Sequence, residues 1–301
     1  MITLENVSKF IISDLSLHIP KGECVGLMGV SGAGKTTLLK LMSGLLAPDH
    51  GYIRTIGKNP VTEKGTYGRE LSIFLADRSS LEREDTVREA LEMIGHIYQI
   101  PKVEFSNTYG ELSERFGFYD YQDKRIGELS LGQRMRVELA AVLMIKPKLL
   151  LLDEPDIGLD ENGKAVLWES LEAERRRGMT IVVSSHNPVQ ISKRCSRIAL
   201  LDAGKLLFYG TEKRLRSKFA PVDTMQLRIE GRFPDLEDLP LKRYEAESDM
   251  LRLSYDANVV SAAESIGLIL KQTQVKEIQM IKPNLTDIIM QLKGEGEDEL
   301  N

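Results

Sequence analysis

Residues 29–36 read Gly29-Val30-Ser31-Gly32-Ala33-Gly34-Lys35-Thr36 and fit the pattern G-x-x-x-x-G-K-[ST]. The pattern follows a short apolar run, Cys24–Met28, and precedes a segment with helical spacing, Thr37–Gly44. Glycines let such a loop curl so that backbone N–H groups point at phosphate oxygens, and the N-terminus of the next helix adds positive potential. The stretch therefore predicts a phosphate-binding loop between a strand and a helix of an α/β fold.

The loop also predicts which side chains would contact a nucleotide. Lys35 supplies a positive charge to the terminal phosphates, and Thr36 offers a hydroxyl to Mg²⁺. The alternative, a glycine-rich turn without a ligand, is disfavoured because all eight positions fit in the required context. The predicted nucleotide-binding residues of the loop are Gly29, Ser31, Gly32, Ala33, Gly34, Lys35, Thr36 and Thr37.

Two carboxylates follow a run of four leucines at residues 149–152, a run typical of a parallel strand buried on both faces. In an open α/β sheet, a carboxylate at the C-terminal end of such a strand lies beside the phosphate loop. We expect Asp153 to hold Mg²⁺ there and Glu154 to act as general base towards water. An isolated Asp-Glu pair would usually be a solvated loop, but this pair completes a phosphate-loop set.

Length and composition limit the other possibilities. The 301 residues predict two domains, at roughly 100–200 residues per domain. The net charge of −5 disfavours a broad basic surface for nucleic acid. No window of about 18 residues lacks a charge, so we expect no membrane span. The segment Met1–Lys9 lacks a leader pattern. Cys24 and Cys195 lie far apart without a partner pattern, which favours a reduced cytoplasmic setting without a metal cage.

The segment Leu129-Ser130-Leu131-Gly132-Gln133 resembles the signature motif of ABC ATPases. Asp153 and His186 follow it at the spacing of the family's metal aspartate and switch histidine, and Ile157-Gly158-Leu159-Asp160 resembles the family's D-loop. Residues 1–215 are therefore similar to the nucleotide-binding subunits of bacterial exporters, in the drug and antibiotic-resistance branch.

This resemblance implies an α/β P-loop domain of ABC type over residues 1–215, with a helical subdomain at about 87–128. In the family, two chains pack head to tail with two ATP molecules between them. The signature reaches the partner's ATP, and a serine before a helix N-terminus is also an anion site on physical grounds, although a plain N-cap is the alternative. The implied roles are phosphate contact in trans for Ser130, Gly132 and Gln133, D-loop contact for Asp160, γ-phosphate contact and catalysis for His186 with Glu154, and adenine stacking or core packing for Phe10.

Two positions depart from the family pattern. Asp77 aligns with a glutamine that contacts Mg²⁺ and senses the membrane partner. A carboxylate is a hard oxygen ligand, so Asp77 is a candidate third metal ligand, and an ordinary loop acid is the alternative. Asp156 replaces the usual threonine or serine, and we expect this third carboxylate to raise the pKa of a neighbouring acid.

Residues after about 222 follow another pattern. The element order of residues 222–293 predicts a small α+β domain, β-α-β-β-α-β, with a short helical turn at 236–239 and a closing helix at 285–292. Residues 294–301 predict a disordered acidic tail. Residues 282–289 resemble, more loosely, the accessory C-terminal region of the family. Three interpretations stay open for this domain: a ligand-sensing module, a dimer contact, and a packed appendage that stabilises the catalytic domain.

The preferred function is the ATP-hydrolysing subunit of an ABC transporter, most simply a homodimer driving export through a separate multi-spanning membrane permease. Its place would be peripheral, on the inner face of the cell membrane, without a nucleic-acid partner. One alternative is a soluble ABC ATPase that acts on ribosomes or DNA. Such relatives usually carry two cassettes or a long coiled coil, and neither is seen here. A regulator without turnover is disfavoured because Glu154 and His186 are both present.

Overall fold

The computed structural model describes residues 1–76, 79–219, 222–236, 239–281 and 288. The chain divides into two compact units, Met1–Gly210 and Thr211–Asn301. The division lies a few residues before the boundary at 215 that the sequence suggests, because the helix that follows Gly210 belongs to the second unit.

The first unit is built on a six-stranded sheet with strand order β5-β6-β7-β3-β8-β9. All neighbouring strands are parallel except the last pair, β8 and β9. The central strands are buried on both faces, as their continuous apolar sequences predict. The strands are β3 (Cys24–Met28), β5 (Leu71–Leu75), β6 (Leu149–Asp153), β7 (Thr180–Ser184), β8 (Arg197–Asp202) and β9 (Lys205–Gly210).

Helices cover this sheet, as the crossovers between parallel strands require. The helix after the phosphate loop buries its leucines in a core cluster shared with strands of both sheets of the unit. Three helices of this unit that follow strands of the sheet are α1 (Lys35–Ser43), α5 (Glu161–Arg176) and α6 (Pro188–Arg194).

A three-stranded antiparallel sheet, in the order β2-β1-β4, completes the first unit. Its alternating apolar residues join the core cluster that contains the leucines of α1. The strands are β1 (Ile2–Lys9), β2 (Ile12–Ile19) and β4 (His50–Thr55). The tip of the β1–β2 hairpin carries Phe10.

The helical subdomain comprises α2 (Val87–Ile97), α3 (Lys102–Phe116) and two single 3₁₀ turns. Thr86 and Glu89 form a capping box at the start of α2, which sets where the subdomain begins. The next helix, α4 (Leu131–Met144), leads back to the central sheet and is capped by Ser130.

The second unit contains a four-stranded antiparallel sheet with order β11-β12-β10-β13. Apolar residues on one face, such as Leu227 and Leu253, pack with Ile269 of the single described sheet-packing helix. The elements are α7 (Glu212–Phe219), β10 (Val222–Glu230), β11 (Leu241–Glu247), β12 (Met250–Asp256), α8 (Ala262–Leu270) and β13 (Gln274–Ile281).

The predicted α+β unit is therefore present in its strands and its second helix. The predicted short helical turn at 236–239 includes residues 237 and 238, which the structure does not describe. The predicted closing helix at 285–292, the family-like stretch 282–289 and the tail 294–301 also lie outside the described residues, apart from buried Ile288.

Candidate nucleotide-binding site

The phosphate loop joins the end of β3 to the start of α1, and its backbone needs glycine. Gly29, Gly32 and Gly34 have φ values of 150°, 81° and 101°. A Cβ at Gly29 would lie 2.3 Å from the carbonyl oxygen of Leu201. The three glycines therefore adopt a left-handed or unusual backbone, and Gly29 leaves no room for a side chain, so the loop can curl tightly at the N-terminus of α1, which favours an anion.

Lys35 lies across this loop. Its Nζ donates to the carbonyl oxygens of Gly29 at 3.0 Å and Val30 at 3.2 Å, and its side chain is buried. Burial lowers the pKa of Lys35, while the nearby carboxylates of Glu154 and Asp153 favour the charged form. The amine of Lys35 thus lies beside the loop. A terminal phosphate there would replace its hydrogen bonds to the carbonyl oxygens with a stronger, charge-assisted hydrogen bond.

Asp153 accepts two short hydrogen bonds at the end of β6. Thr36 Oγ1 donates to its Oδ2 at 2.6 Å, and Ser184 Oγ donates to its Oδ1 at 2.6 Å. Asp153 is opposite Ser184 in the parallel β6–β7 pair. A hydroxyl and a carboxylate are hard oxygen donors of the kind that Mg²⁺ prefers, so the residues present fit this ion. Ser184 was missed in the sequence because it lies in an apolar strand without a motif.

Glu154 turns sharply away from the strand. Its φ is +51°, a left-handed conformation that costs a non-glycine residue free energy. Its N–H donates to Ser184 Oγ at 3.0 Å, which holds this turn in place. Its Oε2 accepts from the backbone N–H of His186 at 3.1 Å.

The other oxygen of Glu154 is poised for a new partner. His186 Nε2 lies 3.2 Å from Oε1, but this buried oxygen makes no hydrogen bond. Burial is the largest cause that raises the pKa of Glu154, and electrostatic interactions with His186 and Lys35 oppose it. A carboxylate with a raised pKa and an unused oxygen suits a proton acceptor in a polar site.

Asp156 contacts the residue that precedes His186. Ser185 Oγ donates to its Oδ2 at 3.1 Å. The neighbouring carboxylate that raises the pKa of Glu154 is Asp153, and burial exceeds its effect. The expected influence of Asp156 on a neighbouring pKa stays a prediction, and its observed contact is the hydroxyl before His186.

The signature segment caps α4. Ser130 Oγ accepts from Gln133 N–H at 3.3 Å, and Gln133 Oε1 accepts from Ser130 N–H at 3.0 Å, which forms a capping box. A Cβ at Gly132 would lie 3.1 Å from the carbonyl oxygen of Gly158. The signature therefore packs against the D-loop segment of its own chain.

The side chain of the D-loop aspartate, Asp160, is held by two hydrogen bonds. Asp160 caps α5 by accepting from Gly163 N–H at 2.8 Å, and Arg136 Nη2 donates to the same oxygen at 2.7 Å. These contacts lower the pKa of Asp160, chiefly through the Gly163 N–H. Arg136 lies on α4, so the signature helix and the D-loop are joined by an ion pair that the sequence pattern did not indicate.

Phe10 is 75% exposed at its hairpin tip, and Lys9 Nζ lies 5.0 Å from the centre of its ring. The exposed ring is free to stack and is not a core residue. Gly204, in the β8–β9 turn, ties this hairpin to the phosphate loop: its N–H donates to Ala33 O at 3.2 Å, and its carbonyl accepts from Ser13 N–H at 3.3 Å. The sequence does not indicate this role of Gly204, since a turn glycine carries no functional signal by itself.

The structure thus brings Lys35, Thr36, Asp153, Glu154 and His186 together at the carboxyl edge of one sheet. Thr37 follows Thr36 in the first turn of α1. Asp77 lies outside the described residues. Within the described ranges, no cluster of three or more His, Cys, Asp or Glu side chains could hold a metal ion, and no helix is long and apolar enough to cross a membrane.

Comparison with known proteins gives the family. The model of the ABC transporter family matches residues 12–156. The ABC transporter ATP-binding protein NatA of Bacillus subtilis is 32% identical over 204 residues, 68% of this chain and 83% of that protein. The chain belongs to the ATP-binding proteins of ABC transporters. This ATPase is also 30% identical to the daunorubicin resistance ATP-binding protein DrrA3 of Streptomyces coeruleorubidus, over 94% of this chain and 91% of that one.

The fold agrees with the family. A dimeric ATP-binding cassette, solved in a post-hydrolysis state with ADP and phosphate, superposes with a TM-score of 0.64 at 24% identity, covering 70% of this chain and 98% of that one. The predicted ABC-type fold and the predicted family are confirmed. The protein is an ATP-binding and ATP-hydrolysing subunit of the ABC transporter type. The roles of single residues stay predictions.

The Gly204 turn predicts a test of nucleotide affinity. A Cβ at Gly204 would lie 1.7 Å from the carbonyl oxygen of Ile11, and its φ is +79°. We expect Gly204→Ala to weaken ATP binding by about tenfold, because moving the turn costs roughly 1–3 kcal/mol. Titration of the folded protein with a fluorescent ATP analogue measures this.

The matched control is Gly178→Ala. Gly178 also has a left-handed φ, +96°, but a Cβ there meets nothing within 4 Å. It should share the backbone strain and keep the affinity of the wild type. An equal loss of ATP affinity in both variants would show that Gly204 contributes to the stability of the fold and has no specific effect on nucleotide binding.

The raised pKa of Glu154 predicts how stability changes with pH. Above the raised pKa, the buried carboxylate destabilises the folded state relative to the unfolded chain, where the pKa is near 4.5. Without nucleotide or Mg²⁺, we expect Glu154→Gln to increase the free energy of unfolding at pH 7 to 8. This gain should vanish below pH 4.5. Urea unfolding at several pH values measures it.

Glu172→Gln is the control of opposite sign. Hydrogen bonds from Arg175 are the largest cause that lowers the pKa of Glu172 to about 2. Its carboxylate therefore stabilises the fold above pH 4.5, and this contribution is lost as the pH falls towards 2. Glu172→Gln should be less stable than the wild type at pH 7. If Glu154→Gln lowered the free energy of unfolding with the same pH dependence as Glu172→Gln, the raised pKa of Glu154 would be contradicted.

Proposed function

We propose that two copies of this ATPase close around two ATP molecules and drive export through a separate membrane permease. The observation that supports the proposal is that each chain presents two glycine-containing helix N-termini that suit an anion. One is the phosphate loop with Lys35, and the other is the N-terminus of α4, with Ser130 and Gly132. A second chain supplies what one chain lacks, so each ATP is held between a loop and a partner's signature.

In this proposal the γ-phosphate ends between Lys35 and His186. The loop N–H groups and Lys35 bind the phosphates, and Glu154 accepts a proton from the water that attacks the γ-phosphorus. His186 is 56% exposed at its side chain and touches Glu154 at present. Its imidazole is free to turn to a γ-phosphate oxygen, which leaves Glu154 Oε1 to accept from the water.

Thr36 and Asp153 would hold Mg²⁺, and Asp77 is proposed as a further ligand. The ion would supply positive charge against the phosphate oxygens when bound. Thr36 and Asp153 already share one hydrogen bond of 2.6 Å, so two hard oxygens are in place beside the loop. Ser184 fixes the second oxygen of Asp153 and thereby orients the carboxylate.

The dimer contact would use exposed residues of the signature and D-loop. Leu131 is 50% exposed and Ile157 is 49% exposed. The Arg136–Asp160 ion pair keeps these two segments adjacent, so they would meet the partner as one surface. Gln133 closes the capping box of α4 with Ser130, and the N-terminus of this helix carries a positive partial charge.

A groove on the catalytic unit is the proposed docking place of the permease. A cavity of about 390 Å³ lies between the central sheet, α2 and α4. Its wall is mainly apolar and includes Leu45, Leu71, Ile94, Ile97 and Val142. Leu45 and Ile97 are exposed, which suits a groove that a helix of a partner covers.

The name of one relative supports the proposed direction of transport and the proposed location. A relative is named for daunorubicin resistance, which supports export of a compound from the cell. The proposed location is therefore the inner face of the cell membrane, where the permease would anchor the ATPase. The unit from residue 211 onward is proposed as an accessory domain whose role, sensing, dimer contact or stabilisation, is separate from the catalytic site.

Glu154→Gln tests the proposed chemistry. The amide keeps the shape of the side chain and cannot accept the proton, so ATP should bind but not turn over. We expect hydrolysis to fall by about a hundredfold or more and an ATP-bound dimer to accumulate in size-exclusion chromatography. Glu172→Gln, far from the site on α5, should keep wild-type turnover. Wild-type turnover in Glu154→Gln would reject the base assignment.

Ile97→Glu tests the membrane partner. A charge in the apolar groove should prevent docking, so the permease encoded with this ATPase should no longer co-purify in detergent. Val103→Glu is the control, since Val103 is 75% exposed on α3 and does not line the groove. Basal hydrolysis should be unchanged in both. Co-purification of ribosomes or DNA in place of a membrane protein would overturn the transport proposal.

A further inference from the structure

The two cysteines of the chain lie side by side although 171 positions separate them. The Cys24 thiol donates to Cys195 Sγ at 3.5 Å. The sequence suggests no pairing, because neither residue belongs to a recognisable cysteine motif. The fold joins them because the start of β3 and the end of α6 meet on one side of the sheet.

The backbones that carry these thiols are tied together. Ser196 N–H donates to the carbonyl oxygen of Cys24 at 2.8 Å, and Cys24 N–H donates to Ser196 Oγ at 3.3 Å. A disulfide has an S–S length of about 2.05 Å, so the sulfurs need to approach by about 1.5 Å. Cys24 is buried, and Cys195 is partly exposed as a residue although its thiol is buried, so oxidation of the pair needs a small reagent such as hydrogen peroxide.

The pair links two parts of the catalytic site. Cys24 begins β3, the strand that leads into the phosphate loop at Gly29. Cys195 ends α6, and its N–H donates to Ile191 O at 2.8 Å. At its other end, α6 is capped by Asn187, the residue directly after His186. A bond between the sulfurs would join the phosphate-loop strand to the helix of the switch histidine.

The helix α6 packs closely against the strand β3. A Cβ at Gly26 would lie 2.2 Å from Ile191 Cγ2 and 3.3 Å from Cys195 Sγ. The helix therefore rests directly on the strand, and an approach of the sulfurs has to shift or stiffen α6. Because Asn187 caps this helix, the restraint would reach His186, whose rotation the proposed hydrolysis needs.

We propose that Cys24 and Cys195 form a reversible disulfide under hydroperoxide, and that this bond slows ATP hydrolysis. The Cys195 sulfur attacks the peroxide oxygen, which gives a sulfenic acid and, from hydrogen peroxide, water. The Cys24 sulfur then displaces the hydroxyl group as a second water, and the S–S bond forms. Two thiols and one hydrogen peroxide thus become one disulfide and two waters, and a dithiol reductant reverses the change.

The thiols are expected to react slowly at neutral pH. The hydrogen bond between them and burial raise the pKa of the Cys195 thiol, so little thiolate is present. The activity part of the proposal rests on the proposed function, and the formation of the disulfide does not.

The test uses the full chain with excess hydrogen peroxide. Because the chain has two cysteines, a thiol count falls from two to zero and the mass drops by two hydrogen atoms when the bond forms. We expect turnover to fall by about tenfold, equivalent to about 1.4 kcal/mol in the barrier, and to return with dithiothreitol. Cys24→Ser and Cys195→Ser should keep their turnover under peroxide.

Hydrogen exchange provides a readout that needs no hydrolysis: amides of residues 186–195 should exchange more slowly in the oxidised protein. Two thiols remaining after peroxide, a disulfide that joins two chains on a non-reducing gel, or a disulfide with unchanged exchange and turnover would each overturn the proposal. If the reduced wild type does not hydrolyse ATP, the proposed function fails, and thiol count with exchange still decides the disulfide restraint.

Discussion

The hydrogen bonds that Asp153 accepts from Thr36 and Ser184 determine the layout of the catalytic centre. They join the first turn of α1, the end of β6 and the end of β7, three segments that are far apart in sequence. The parallel sheet makes this possible because the carboxyl ends of β3, β6 and β7 lie at one edge. With Asp153 held from both sides, the residue after it can turn out of the strand without loosening the sheet.

That turn places the buried carboxylate of Glu154 in a setting that lowers the stability of the fold but suits a proton acceptor. Glu154 combines a left-handed backbone with an oxygen that makes no hydrogen bond, and burial raises its pKa. Each feature costs folding free energy. The apolar strands around the site, buried on both faces, offset this cost, so the fold tolerates a group that is prepared to take a proton.

Much of the site could be predicted because its residues occupy short motifs with local meaning. The glycines of the phosphate loop, Lys35 and the Asp153-Glu154 pair are each read from neighbours in sequence. Ser184, Gly204 and Arg136 could not be found this way, because their roles arise from contacts with residues 20 or more positions away. The capping boxes of α2 and α4 are local, and their sequences indicate where these helices begin.

The sequence by itself indicated the phosphate loop and the buried strand before Asp153, since glycine spacing and apolar runs act over a few residues, and the resemblance of its motifs indicated the ABC family and its fold. Only the tertiary structure decided that Ser184 orients Asp153, that Gly204 ties the Phe10 hairpin to the loop, and that Cys24 meets Cys195. Those contacts depend on how strands pair across the sheet and how helices pack on it. Pairing and packing join distant segments, and no local pattern records which ones they bring together.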